Sequence, residues 1–143
     1  MDDLPSAVRD LLDDANPAIV ATSGGVDRPQ LSVVWIERRG NDLAFFCEAD
    51  SVKARNLAAH PAVVVIVMDP ERTFEPGAQC HVRISGTTSL EALSDTSFPD
   101  RLAKRYMGVD RFPHEGDYVS VEVTTTSWSG VGPFPRTTHG WGT

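Results

Sequence analysis

The chain has 143 residues, of which 41% are hydrophobic and 23% are charged, a composition typical of one soluble globular domain. Its formal net charge of −7 argues against nucleic acid or an anionic membrane surface as a partner. The longest apolar run, residues 62–68, is too short to span a bilayer, and the acidic N-terminus lacks the basic and apolar segments of a signal peptide. We therefore expect a cytoplasmic protein.

The two cysteines, Cys47 and Cys80, form neither a CxxC pair nor a zinc-site spacing. Reduced thiols are the simpler interpretation for a cytoplasmic chain, although a disulfide between them stays open. His81 and His114 have no second ligand at a metal spacing, so the sequence predicts no metal site.

Hydrophobic periodicity and turn residues divide the chain into short helices and strands. The predicted elements are a helix over residues 1–15, strands over 18–22, 30–38 and 43–47, a short helix over 51–60, a strand over 62–69, a polar loop over 70–77, a strand over 78–90, a helix over 94–108 and a last strand over 118–123. Asp3 is the expected cap of the first helix, and Gly86 allows a bend in its strand. Leu102 and Tyr106 should face inward, with Gly108 as a C-cap.

This order of elements predicts a mainly β fold with peripheral helices. The first three strands follow one another through short turns, which favours an antiparallel sheet, and about six strands suit a small barrel. A Rossmann fold is disfavoured because no Gly-rich phosphate loop follows the first strand. We expect the barrel domain over residues 1–128 and a Gly/Pro/Thr-rich tail over residues 129–143, either mobile or docked on a partner.

The short helix over residues 51–60 carries two cations in its first turn, Lys53 and Arg55. That end of a helix is partially positive, so each cation there costs roughly 0.3–1 kcal/mol. A bound anion would reverse the sign, because backbone N–H groups and both side chains would then converge on it. Two interpretations stay open from the residues alone, an anion site and a pair of solvated side chains.

The chain resembles the pyridoxamine-phosphate-oxidase-like split β-barrel superfamily, and within it the small actinobacterial deazaflavin-dependent (coenzyme F420) oxidoreductases. The resemblance covers roughly residues 8–128, and it rests on the order and spacing of several segments. These segments are Ile19-Val20-Ala21-Thr22, residues 28–35, Phe45-Phe46-Cys47, residues 51–61, residues 63–67, Ile84-Ser85-Gly86-Thr87 and Arg105-Tyr106-Met107-Gly108.

The resemblance implies a six-stranded antiparallel, FMN-binding-like split barrel that forms a homodimer, with two cofactor sites at the subunit interface. It places the cofactor's phosphate at the helix start and the ring along the second strand, with an aromatic residue of the tail region as a candidate lid. The residues that it assigns to the cofactor are Ser32, Val33, Val34, Trp35, Ser51, Lys53, Arg55, Asn56 and Trp128.

Structural interpretations compete with several of these assignments. Ser51 is also an ordinary N-cap, and Asn56 is equally well a surface residue. Trp35 is as well suited to a core or a dimer interface as to the wall of a ring pocket, and Trp128 to a loose aromatic of the tail. The residues that would be catalytic are unknown at this stage.

The resemblance implies two-electron hydride transfer between F420 and a small organic substrate. The FMN-binding branch usually carries an arginine at the start of the second strand, and residues 30–35 contain no basic residue. That departure disfavours FMN and favours F420. The alternatives are an FMN-dependent enzyme, a carrier or sensor that binds FMN, haem or biliverdin, and a structural dimer whose site has decayed.

Overall fold

In residues 2–74 and 77–134, which the computed structural model describes, three helices and seven strands follow nearly the predicted order. The elements are α1 (Ser6–Asp13), β1 (Ala18–Ser23), β2 (Pro29–Val34), β3 (Glu37–Arg39), β4 (Asp42–Glu48), α2 (Val52–Ala59), β5 (Ala62–Thr73), β6 (Gln79–Ala92), α3 (Ser97–Met107) and β7 (Tyr118–Val131). None of these helices is both long and apolar enough to cross a bilayer.

The seven described strands form one open sheet in the order β2-β1-β5-β6-β7-β4-β3, with every neighbouring pair antiparallel. The mainly β class and the antiparallel pairing are confirmed, but the predicted six-stranded split barrel is not, because the described strands number seven and form an open sheet. Residues 30–38 do not form one strand, because Trp35 and Ile36 leave the ladder between β2 and β3. β2 pairs with β1 and β3 pairs with β4, at opposite edges of the sheet.

Only Trp35 and Ile36 connect the two edge strands. Since consecutive Cα atoms are about 3.8 Å apart, Val34 and Glu37 are separated by at most about 11 Å. The sheet must therefore curl until its two edges approach each other, although no ladder joins them. The result is a sheet that is rolled up and split between β2 and β3.

The main core fills the inside of this curled sheet, and α1 covers one end of it. Its members alternate along the strands, as expected when one face of a sheet is buried. Leu4, just before α1, forms an apolar stripe with Val8, Leu11 and Leu12 of the helix. The strands contribute Val20, Leu43, Phe45, Val65, Val67, Val82, Ile84, Val121 and Val123, among others. Cys47 and Cys80 belong to the same core as free thiols.

A second apolar cluster lies on the outer face of β4, beneath α3. Ala44 of β4 packs there with Phe98 and Leu102 of α3, while Trp35 and Tyr106 lie at its margin. α3 ends at Gly108, whose left-handed φ of 72° confirms the predicted C-cap. β4 is thus buried on both faces and forms the wall between the two clusters.

Three boundaries differ from those predicted. β5 continues to Thr73 through Pro70, where a loop was predicted, and Thr73 still pairs with Gln79 of β6. Pro5 precedes α1 with no side-chain cap, whereas the carboxylate of Asp3 accepts a hydrogen bond from Asn41 instead. β7 runs through residues 129–131, so the predicted tail shares its first residues with the sheet, and residues 135–143 lie outside the described residues.

Gly86 lies where β6 changes register against β7, which confirms the predicted bend. A Cβ atom at this position would collide with the carbonyl oxygen of Thr124 and would stand 2.9 Å from Cγ1 of Val123. We expect Gly86→Ala to lower the free energy of unfolding by about 1–3 kcal/mol, as other overpacked sites do. Urea unfolding measures this, with Ser89→Ala on the same strand as the control. An unchanged midpoint would contradict the close approach of the two strands.

Candidate functional site

A cavity of about 670 Å³ opens where the ends of β2 and β4 meet the start of α2. The loop between α3 and β7 forms its remaining side. Ligand pockets in proteins usually have volumes of roughly 300–1,000 Å³, so this cavity is of suitable size for an organic cofactor. Its lining residues are Val33, Val34, Trp35, Phe46, Cys47, Glu48, Ser51, Lys53, Phe112, His114, Glu115 and Tyr118.

One end of the cavity is the N-terminus of α2. Ser51 caps the helix, and its Oγ accepts a hydrogen bond from the backbone N–H of Ala54 at 3.1 Å. The N–H groups of Val52 and Lys53 precede the first intrahelical bond, and the described part of the chain offers them no acceptor. Lys53 lines the cavity at this end, and the first turn holds no acidic residue. This end is therefore electropositive and suited to an anion.

The second wall of the cavity is the apolar end of β2. Val33 is 70% exposed, Val34 is buried, and the indole of Trp35 is half-buried. β2 is an edge strand that pairs only with β1, so part of its backbone N–H and C=O groups point away from the sheet. A planar ring lying against this strand would find apolar side chains and free backbone groups together.

Aromatic rings form a third side of the cavity. Phe112 meets Phe46 edge to face at 5.1 Å between centroids, and it meets Tyr118 in the same way at 5.5 Å. Trp35 makes a third edge contact with Phe112, at 5.9 Å. The backbone N–H of Phe112 donates to the carboxylate of Asp100 at 2.9 Å, which ties the loop to the first turn of α3.

Charge is divided along the cavity, because Lys53 lies at the helix end whereas Glu48 and Glu115 also belong to the lining. Burial raises the pKa of the Tyr118 phenol, and the negative charge of Glu48 raises it further. Burial likewise raises the pKa of the Cys47 thiol, while the hydroxyl of Ser51 and the charge of Lys53 act in the opposite direction. Both groups therefore stay protonated around neutral pH.

The structure brings five of the nine predicted site residues to the cavity. These are Val33, Val34, Trp35, Ser51 and Lys53. Arg55 is exposed and donates from Nη1 to the carbonyl oxygen of Asp50 at 2.6 Å, which closes the turn before α2 and leaves the guanidinium outside the lining.

The other three predicted residues are held elsewhere. The amide of Asn56 donates to Thr22 Oγ1 at 3.1 Å, so this side chain connects α2 to β1. Trp128 is 4% exposed and packs in the main core, so its indole does not reach the cavity lining. Ser32 also lies outside the lining; its Oγ is buried and accepts or donates no hydrogen bond within the described residues.

Several lining residues were missed in the sequence, and they come from two places. Phe46, Cys47 and Glu48 end β4 just before α2. Phe112, His114 and Glu115 belong to the loop between α3 and β7, and Tyr118 is the first residue of β7. The signal that could have indicated the loop is its length together with the rings of Phe112 and His114, since long irregular connections are often functional. No pattern in the sequence indicated that this loop returns to α2.

Comparison with known proteins places this geometry in a family. Residues 4–132 match the family model of pyridoxamine 5'-phosphate oxidase. The chain belongs to the pyridoxamine 5'-phosphate oxidase family. The resemblance to the split-barrel superfamily is thus confirmed over nearly the whole chain.

Several solved structures share the fold of this chain. An F420 reductase is 26% identical, with a TM-score of 0.75 over 88% of this chain and 98% of that one. A putative pyridoxamine 5'-phosphate oxidase from Listeria innocua is 14% identical, with a TM-score of 0.64 over 87% and 94% of the two chains. The heme storage protein HutZ from Vibrio cholerae is 14% identical, with a TM-score of 0.66 over 89% and 94%. The last two likenesses concern the fold alone, and no curated protein matches the sequence.

The residues present fit a flavin-like cofactor of this family. Lys53 and the free N–H groups at the start of α2 match the chemistry of a phosphate, and the apolar strand end of Val33 to Trp35 matches a planar ring. β2 contributes no basic side chain to the lining. Any negative charge of a ligand is therefore expected at the α2 end of the cavity.

The titration of Cys47 tests where Lys53 lies. We expect the pKa of the Cys47 thiol to lie above the ordinary range and to rise further in Lys53→Ala, because removing the ammonium takes away a charge that favours the thiolate. The ultraviolet absorbance of the thiolate, followed against pH in a Cys80→Ala background, measures this shift. Lys104→Ala, which changes an exposed lysine of α3, should leave the titration unchanged. A lower pKa in Lys53→Ala would contradict the arrangement.

Proposed function

We propose that this protein is an oxidoreductase that uses coenzyme F420 for two-electron hydride transfer to or from a small organic substrate. The observation that carries the proposal is the cavity that joins the electropositive start of α2, with Lys53, to the apolar end of β2. The likeness to an F420 reductase, at 26% identity, supports the choice of coenzyme.

The chain's own residues would bind and orient the coenzyme in this proposal. Lys53 and the first-turn N–H groups of α2 would hold its phosphate, with Ser51 keeping the helix start in place. Val33 and Trp35 would lie along the ring, and the rings of Phe112 and Tyr118 would exclude water from it. A bound deazaflavin supplies the hydride chemistry, and the protein supplies position and surroundings.

FMN is the second candidate, because Ser51 and Lys53 would hold any phosphate at the start of α2. Among the residues that the structure describes, Lys53 is the one lysine or arginine in the lining of the cavity, and β2 contributes none. A two-charge phosphate monoester gains less from one lysine than from a lysine and an arginine together. The single cation favours the phosphodiester of F420.

We propose further that the active form is a homodimer in the cytoplasm, with the second copy covering the open side of the cavity. Leu31 and Val33 share the outer face of β2 and are 67% and 70% exposed. Exposed apolar side chains grouped on one strand are typical of an interface. The free thiols Cys47 and Cys80 accord with a reducing compartment.

Titration of F420 fluorescence tests the coenzyme assignment. We expect saturable quenching with the wild-type protein, and a loss of affinity of about 10- to 100-fold in Lys53→Ala, because a charged hydrogen bond contributes roughly 1.5–3 kcal/mol. The deazaflavin ring without its phosphate-bearing tail should bind both proteins equally. Lys104→Ala is the matched control and should bind F420 as the wild type does.

The same preparation distinguishes the alternatives. FMN that co-purifies with the protein, together with absent F420 quenching, would contradict the proposal and favour the FMN-dependent reading. Saturable F420 binding without oxidation of the reduced coenzyme by activated alkenes or imines would indicate a carrier rather than an enzyme.

The dimer is tested by Leu31→Glu. We expect the mass in solution, measured by light scattering, to fall from that of two chains to that of one, because a carboxylate on this strand cannot be buried without a partner. F420 affinity should fall with it, since each site would lose its second wall. Met107→Glu, at a 49% exposed apolar residue of α3, is the control. A wild-type monomer that binds F420 tightly would refute the dimer.

A further inference from the structure

The short connection from β2 to β3 forms part of the cavity wall, and no strand pairing within the described residues holds it in place. Trp35 lines the cavity, and Ile36 next to it is buried, yet neither residue belongs to a strand. The backbone groups of a buried residue outside a ladder need partners from elsewhere in the fold. Consecutive residues of α3, Arg105 and Tyr106, supply them.

Tyr106 bridges two connections of the chain with one hydroxyl group. Its Oη accepts a hydrogen bond from the backbone N–H of Ile36 at 3.3 Å and donates one to the carbonyl oxygen of Asn16 at 3.2 Å. Arg105 donates to the carbonyl oxygen of Ile36 at 3.5 Å, so α3 holds both backbone polar groups of that residue. Burial raises the pKa of the Tyr106 phenol, which therefore keeps its proton.

Arg105 anchors the same assembly to the end of α1. Its Nη2 donates to the carbonyl oxygens of Leu12 and Asp14, both at 2.8 Å. The end of α1, the connection between β2 and β3, and the last turn of α3 are thus tied together at one point. α3 is itself fixed on β4 by Phe98 and Leu102, so the anchor is rigid.

The ring of Tyr106 acts on the cavity wall directly. It stacks on the indole of Trp35, with 5.5 Å between centroids and 10° between the planes. One face of the indole is therefore covered by Tyr106, while Trp35 still belongs to the cavity lining. The hydroxyl group fixes the ring, and the ring fixes the plane of the indole.

We infer that Tyr106 is a positioning residue of the cofactor site, which sets the orientation of Trp35 through the stack and through Ile36. Tyr106 itself does not line the cavity, so it acts on a ligand through Trp35. The inference rests on the proposed function, because it concerns the wall against which the coenzyme ring would lie.

A double-mutant cycle tests this coupling. We expect Tyr106→Leu to weaken F420 affinity by about tenfold in the wild-type background, but by less than about twofold in a Trp35→Leu background, because residues that act through one another are not additive. Tyr106→Phe keeps the ring that stacks on Trp35 but loses the hydrogen bonds to Ile36 and Asn16, so its affinity should fall by no more than about threefold from the wild type. Lys104→Ala on the same helix is the control, and Tyr106→Met is measured beside Tyr106→Leu in case the latter does not fold.

A second readout needs no coenzyme. The near-ultraviolet circular dichroism of Trp35 is the difference between the wild-type and Trp35→Leu spectra, and this difference should shrink in Tyr106→Leu and Tyr106→Met but persist in Tyr106→Phe. Equal losses of affinity in both backgrounds, or a lost Trp35 signal with unchanged affinity, would overturn the inference. If wild-type protein fails to bind F420, the proposed function fails, and a Trp35 signal that persists without the Tyr106 ring then overturns the inference separately.

Discussion

The two-residue connection between β2 and β3 is the constraint on which the rest of the structure depends. A seven-stranded sheet with its chain-adjacent strands at opposite edges has to roll up, because Trp35 and Ile36 span at most about 11 Å between the strand ends. Rolling the sheet encloses the main core and leaves a split between the edges. The cavity lies at one end of β2, where this apolar strand meets the start of α2 and the loop between α3 and β7.

Positive charge at the start of α2 makes one end of this cavity electrostatically different from the rest. A lysine in the first turn works against the helix dipole, and no acidic residue there offsets it. The fold places this unfavourable charge at the end of a cavity, where Ser51 caps one N–H and two more have no acceptor among the described residues. An anion bound at that end would offset the free-energy cost of the lysine. The start of α2 is therefore the expected position of the proposed phosphate.

In the proposed dimer, a second chain would complete the site, because one wall of the cavity is an exposed apolar surface. Val33 contributes to the cavity and is also one of the two most exposed apolar residues of β2. One strand would therefore serve coenzyme and partner together. On the other side of the cavity, the wall is held by residues of the same chain. Tyr106 and Arg105 hold the Trp35–Ile36 connection against α1 and α3. The two halves of the site thus have different physical origins, an open apolar surface and a hydrogen-bonded clamp.

Local patterns in the sequence determined much of the architecture. The apolar stripe of α1, the alternation of Cys80, Val82 and Ile84 along β6, the Ser51 cap and the Gly108 C-cap each depend on neighbours within a few residues, and the two caps appear as predicted. Lys53 could be singled out for the same reason, because a cation in the first turn is a local anomaly.

The features that only the tertiary structure decided depend on contacts between residues far apart in the chain. The sequence gives no sign that residues 30–38 break at Trp35, because both halves have strand character and only their different partners, β1 and β4, separate them. Asn56 and Trp128 are residue types that often bind cofactors. In the structure, however, Asn56 donates a hydrogen bond to Thr22, and Trp128 is buried in the core. The loop between α3 and β7 shares a cavity with the start of α2, and α3 packs on β4. These residues are far apart along the chain, so local sequence patterns do not predict that they are close in space.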